Sequence, residues 1–299
     1  MAISDVACKG TQVLLDSKQL TVELARQIQR DLALLPEFPR VVDSLDRWER
    51  LSALDLVLYA RKRGLLATLS DGDYTGPDFF KLLPYDWNIV LRRVNHWFDR
   101  VVAAFELPTR EARKLAFARI ETELGKIGNR VSHPISLTAG FVSLERRSKM
   151  VGDVISQLMV SSPSAAAVAD ERCSTILQLT RTAAAIATYR AELVRYPEKL
   201  DELAPKMLEE LPVDLYNARP LHYRRLAAGY LLYSTGDNGA DDRGSHIDWS
   251  IFEGQLLDDL TNLDPKGSPP QIPDGADDIS IRLPRPLFVL PKDEQARDL

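Results

Sequence analysis

Apolar residues recur at helical spacing through most of the first two thirds of the chain. Leu20, Leu24, Ile28, Leu32 and Leu35 predict an amphipathic helix over about 18–35, stopped by Pro36, which cannot supply the next backbone N–H. Val41, Leu45, Trp48, Leu51, Leu54 and Leu58 predict a second over about 40–63, with Gly64 as its C-terminal stop. A third, over about 86–105, presents Ile89, Val90, Val94, Trp97, Phe98 and Val101. A fourth begins after Thr109, an N-cap, and continues to about Lys126. Together these predict a helical bundle. Helical spacing returns over about 141–159, is interrupted by Ser161-Ser162-Pro163-Ser164, and resumes as a long helix over about 165–195. That helix carries Cys173, Ile176, Thr180, Ala184, Ala187, Ala191 and Val194 on one stripe.

Past Pro197 the texture changes. Leu221-His222-Tyr223-Arg224-Arg225-Leu226 and Tyr230-Leu231-Leu232-Tyr233-Ser234 are short β-type runs around an Ala-Ala-Gly turn, which predicts a hairpin. A last β-type run, Ile279-Ser280-Ile281-Arg282-Leu283, follows a long insertion. No self-similarity with a period of about 20–50 residues suggests a solenoid.

The order of signals in this half is an Ala-rich helix, Arg195-Tyr196-Pro197, Leu200-Asp201-Glu202-Leu203 and Leu211-Pro212-Val213-Asp214. Leu221-His222-Tyr223-Arg224, Gly229-Tyr230-Leu231-Leu232-Tyr233-Ser234, Gly236-Asp237-Asn238-Gly239 and Asp277-Asp278-Ile279 follow. This order resembles the soluble region of the type II secretion major pseudopilin (G-type) and covers residues 164–284, about two fifths of the chain. The resemblance implies a helix that ends before Pro197 and serves as the spine for one small sheet. It also implies calcium in the loop between the second and third strands. Asp237, Asn238, Asp241, Asp242, Asp277 and Asp278 are the metal candidates carried over, with Ser234 nearby. Calcium takes six to eight oxygen ligands in flexible geometry, so Asp and Asn on a Gly-rich loop suit it. The same residues are also ordinary turn formers. An insertion from Arg243 to Gly275 separates the two acidic pairs, with a helix expected around Trp249 to Leu257. The family assembles through an apolar N-terminal helix after a processing motif. Gly140-Phe141-Val142-Ser143-Leu144-Glu145 shares that motif's Gly-Phe and later Glu, but Arg146-Arg147-Ser148-Lys149 forbids a membrane-spanning continuation.

Composition narrows the alternatives. Hydrophobic content of 45% with 27% charged residues is that of a folding chain, and 299 residues suffice for two cores. A net charge of -5, with 38 basic and 43 acidic side chains interspersed, argues against a nucleic-acid partner. Cys8 and Cys173 exclude a disulfide framework and admit either one bridge or two separate thiols. No run reaches the ~20 apolar residues needed to cross a bilayer. Met1-Ala2-Ile3-Ser4-Asp5 does not read as a signal peptide, and whether a targeting segment lies upstream is left open.

Catalytic signatures are not found: no Gly-x-Gly-x-x-Gly, no phosphate loop, no His-Glu-x-x-His and no Gly-x-Ser-x-Gly. His96, His133, His222 and His246 are scattered, and Asp71-Gly72-Asp73 lacks the terminal Glu of a calcium loop and reads as a turn. His96 with Asp99 reads as a surface pair, and Trp48, Trp87 and Trp97 read as core.

The expectation is therefore an α+β chain with a helical domain over 1–136, a connecting helix and linker over 137–163, a pseudopilin-like α+β domain over 164–290 and a tail over 291–299. Its long helix packs on a small antiparallel β-sheet. The function expected is that of a non-catalytic structural or interaction protein of the cell envelope or periplasm, with a protein partner and Ca2+ as cofactor. The alternatives are a hydrolase with a carboxylate-lined cleft and a helical domain that binds a small molecule or peptide along its aromatic surface.

Overall fold

In the computed structural model, residues 2–17, 19–36, 38–64, 84–131, 143–160, 162–244 and 276–283 are described. The helices are α1 (Ala2–Leu15), α2 (Val22–Leu34), α3 (Val41–Ser44), α4 (Arg50–Arg63), α5 (Trp87–Phe105), α6 (Arg110–Val131), α7 (Leu144–Met159) and α8 (Pro163–Leu193). A π-turn, Leu45–Glu49, joins α3 to α4, and a 3-10 turn, Leu200–Leu203, follows α8. The strands are β1 (His222–Arg225), β2 (Tyr230–Ser234) and β3 (Ile279–Leu283). The chain is thus α+β, mostly helical with a small three-stranded sheet. Asp71-Gly72-Asp73, Ser132-His133-Pro134, Gly140-Phe141, His246, the helix expected around 249–257 and the tail 291–299 lie outside the described residues. Among the described residues, no helix is long and apolar enough to cross a membrane.

The chain separates into two units, and the division differs from the one the sequence suggests. One unit joins Met1–Phe38 to Ala169–Leu299, and the other is Pro39–Val168. This division does not follow the boundaries expected at 136 and 163: Cys8 and Leu15 of α1 and Leu32 of α2 belong to the same buried core as α8 and the sheet. Helix α1 itself was not expected, since it shows no stripe as regular as those read for the later helices.

The Pro39–Val168 unit is built on α5. Asp86 caps it, its Oδ1 accepting from the N–H groups of Asn88 (2.9 Å) and Ile89 (3.3 Å). Its inward face, Val90, Val94, Trp97, Phe98, Val101 and Ala104, meets Phe117, Ile120 and Leu124 of α6 and Val151 and Ile155 of α7. Burying side chains of this size stabilises the fold by roughly 1.5–3 kcal/mol each. Trp97 Nε1–H and Arg93 Nε–H both donate to Asp153 Oδ1, at 2.8 and 2.5 Å, so the polar tip of the buried indole is satisfied. Gly152 lets α7 approach, because a Cβ there would lie 2.7 Å from Arg93 Cβ.

The face of α4 differs from the expected one. Its buried residues are Ala53, Val57 and Ala60, whereas Trp48 (71% exposed), Leu51 and Leu58 face outward. Small side chains at i, i+4 and i+7 permit close helix approach, and a reading weighted by apolar bulk overlooks alanine. Thr109 does cap α6, its Oγ1 accepting from Ala112 N–H at 3.2 Å. Gly64 ends α4 with φ +102°.

In the other unit α8 is the spine. Residues 175–189 are buried on nearly every side, apart from Gln178 and Arg181. Ala183, Ala184, Ala185 and Ala187 keep that cylinder narrow, and Thr180, Thr182 and Thr188 satisfy their hydroxyls on carbonyls four residues back. The sheet order is β1-β2-β3, antiparallel throughout. Central β2 is wholly buried, and β3 alternates, with Ile279, Ile281 and Leu283 inward. Tyr223 Oη donates to Pro197 O at 2.8 Å, and the Tyr196 and Tyr230 rings meet edge to face at 5.5 Å, fixing the sheet to the chain just after α8.

Candidate metal-binding loop pair

Antiparallel pairing of β2 with β3 determines which residues meet at the end of the sheet. Ser234 is registered with Ile279, so the chain leaving β2 runs beside the chain entering β3. Gly236 (φ +66°) then lies so close to Asp277 that a Cβ would fall 2.3 Å from its carbonyl oxygen. Only glycine meets both the left-handed backbone and the close approach.

The turn is anchored by a carboxylate that sequence reasoning did not single out. Asp214 is fully buried. Its Oδ1 accepts from Ser234 Oγ–H (2.8 Å) and Tyr216 N–H (2.9 Å), and its Oδ2 from Thr235 N–H (3.0 Å). Asn217 Nδ2–H donates in turn to Thr235 Oγ1 at 2.9 Å. Asp214 followed by a bonded N–H two residues on is an Asx-type turn, and Leu-Pro-Val-Asp was its visible trace. Ser234 spends its hydroxyl proton here, inside the fold.

Asp242, Asp277 and Asp278 converge: each offers a carboxylate oxygen, and these three atoms lie within 4.8 Å of one another. Asp277 Oδ2 accepts from Asn238 N–H at 3.0 Å, and Asp242 Oδ2 accepts from Asn238 Nδ2–H at 3.1 Å. Asp278 Oδ2 accepts from Gly244 N–H at 2.8 Å. Asp277 Oδ1 and Asp278 Oδ1 are buried and receive no hydrogen bond from any described residue. Asp278 is 0% exposed. Burial pushes its carboxyl up to about 7, against the Gly244 N–H and reinforced by the charges of Asp242 and Asp241. Burial likewise raises Asp277.

Of the six residues carried over from the sequence, three therefore meet. Asn238 organises the cluster as a donor, while its own Oδ1 accepts from Ala240 N–H at 2.6 Å. The Asp237 N–H donates to the Asp277 carboxylate. Asp241 turns to the flank of the sheet, its Oδ1 accepting from Tyr233 Oη–H at 3.0 Å and from Arg243 N–H at 2.9 Å. His222 stacks on Tyr233 with ring centres 4.7 Å apart and brings Nδ1 to 3.9 Å from Asp241 Oδ2.

The rival candidates in the helical unit fall elsewhere. Asp99 accepts from Arg50 Nη1 at 2.6 Å, an ion pair that the spacing with His96 did not suggest. Trp97 is core, Trp87 packs on Tyr85 with centroids 5.6 Å apart, and Trp48 is exposed, so the three tryptophans do not share one environment. Cys8 and Cys173 are not joined by a disulfide.

No protein-family model matches this chain, and no curated protein or solved structure is significantly similar to it.

Proposed function

We propose that this chain is a non-catalytic structural or interaction protein of the cell envelope, whose pseudopilin-like C-terminal module is stabilised by Ca2+ at Asp242, Asp277 and Asp278. The envelope setting, the protein partner and the kinship rest on the run of motifs from Tyr196-Pro197 to Asp277-Asp278-Ile279. The observation that carries the ion is Asp278, a fully buried carboxylate with one oxygen to which no described residue donates, beside two further carboxylates. A buried charge without a partner is costly, and a hard divalent cation supplies what such a cluster lacks. Carboxylate oxygens without soft ligands favour calcium over zinc, and the neighbouring backbone carbonyls and water would complete its shell. Bound there, the ion would tie the turn after β2 to the segment entering β3 and so hold the sheet edge.

Thermal melting of the full chain in calcium, magnesium and chelator tests the reading. A ligand bound only by the native state stabilises it by about 2.7 kcal/mol at a hundredfold excess over its Kd. Calcium is expected to raise the Tm, chelator to reverse the rise, and magnesium to do less. An unchanged Tm in millimolar calcium would remove the ion from the proposal.

A further inference from the structure

A second feature, in the same unit but on α2 and α8, points to a ligand of opposite charge. An open surface pocket of about 260 Å³ is lined by Arg26, Gln29, Arg30 and Ala33 of α2, Thr188 and Glu192 of α8, and Lys206 and Met207 beyond the 3-10 turn, with Arg30 and Lys206 exposed at its rim. Positions 26, 29, 30 and 33 follow the i, i+3, i+4, i+7 rule, so one face of α2 forms a wall. Three cations and one carboxylate line this space, in a chain whose net charge is -5.

The cations are not equivalent. Arg26 is committed to Glu192, with Nε and Nη2 at 2.9 and 2.7 Å from Oε1. Gln29 Nε2–H donates to Met207 O, which ties α2 to the segment carrying Lys206. Arg30 and Lys206 make no ion pair with any described residue, although both border the cavity. The frame is thus held by bonds made within the protein, while two positive side chains from separate segments face a shared space. Thr188 spends its hydroxyl proton on Ala184 O, leaving the basic groups as the donors directed to a ligand. Ala33 and Met207 supply an apolar wall.

We infer that this cavity binds a small phosphate monoester, its dianionic oxygens received by Arg30 and Lys206 and its short organic part lying against Ala33 and Met207. A guanidinium presents planar paired donors and an ammonium a compact point charge, a combination suited to a tetrahedral dianion. The volume accommodates a phosphate carrying a few carbons. The inference is independent of the calcium reading, since none of these residues belongs to the acidic loop pair.

The test is calorimetric titration of the full chain, without calcium and at constant ionic strength, with glycerol phosphate, inorganic phosphate and chloride. Saturable binding of glycerol phosphate, with chloride silent, is expected. Arg30→Ala combined with Lys206→Ala is expected to weaken it at least about tenfold, the loss of one or more charge-assisted hydrogen bonds. Arg61→Ala with Lys62→Ala, which removes equal charge from the end of α4, should leave it unchanged. Inorganic phosphate binding as tightly as the ester would keep the oxyanion site and exclude a role for the apolar wall. Binding equal in chloride, binding unaffected in the double variant, or no saturation into tens of millimolar would each overturn the site. Circular dichroism of both double variants checks that the exposed substitutions leave the fold intact.

Discussion

Replacing Asp278 by Asn separates the cost of the acidic cluster from its use. Asparagine keeps the volume and shape of the side chain. Its amide oxygen can accept the Gly244 N–H that Asp278 Oδ2 accepts at 2.8 Å. Its amide nitrogen then occupies the place of Oδ1, to which no described residue donates, and points donors at Asp242 and Asp277 where, above pH 7, a third negative charge had been. An unsatisfied buried group costs about 1–3 kcal/mol, and more when charged. The calcium-free variant is therefore expected to be more stable than the parent by about 1–3 kcal/mol, at roughly 2–4 °C in Tm per kcal/mol for a unit of this size. In calcium the order reverses, because a neutral amide is a weaker ligand and the Tm rise shrinks or disappears. Melting by circular dichroism in chelator and in calcium, parent beside variant, reads both arms. A variant that melts below the parent in chelator would show that Oδ1 is satisfied and the cluster relaxed. A variant that keeps the full calcium response would remove Asp278 from the site.

Gly236→Ala combines left-handed backbone with a Cβ only 2.3 Å from Asp277 O, so denaturant unfolding should show a loss above the roughly 1–2 kcal/mol of backbone strain alone, and the calcium response should weaken with it. Tyr230→Phe removes a buried hydroxyl that has no hydrogen-bond partner among the described residues and should raise stability by about 1 kcal/mol; a clear loss in urea unfolding would reveal a partner for that hydroxyl. Glu202 is held down at about 2, first by the Tyr189 hydroxyl and then by Arg195 and the Glu198 and Lys199 N–H groups. A depressed carboxyl contributes fully above its unfolded value of 4.5 and loses that contribution as pH falls toward 2. Glu202→Gln should flatten that acid limb of the stability profile and leave its slope above pH 5 unchanged, as read by unfolding at successive pH values.

Local signals were legible wherever one residue's chemistry ends or begins an element. Thr109 caps its helix as expected, Gly64 ends α4, Pro197 follows the end of α8, and the two Tyr-bearing runs form a hairpin with the last run paired beside it. Such effects depend on neighbours within about four residues, which a sequence displays directly. The partition of the chain was not legible in that way. Residues 2–34 read as the start of a helical domain, yet Cys8, Leu15 and Leu32 are buried with α8 and the sheet, because an amphipathic stripe states that it needs a cover and not which one. The buried face of α4 was hidden for a related reason, since Ala53 and Ala60 gain their place through close approach to a neighbour.

The acidic site divides along the same line. The family resemblance singled out two Asp pairs, 241–242 and 277–278, at the ends of a long insertion, and their residue type suited a hard cation. Which members meet was decided by the β2–β3 register and by Tyr233, which draws Asp241 aside while Asp278 is sealed beneath the loop. Sequence determines what each segment can do by itself; strand pairing over more than thirty residues, and the burial it produces, determined which charges must share one space.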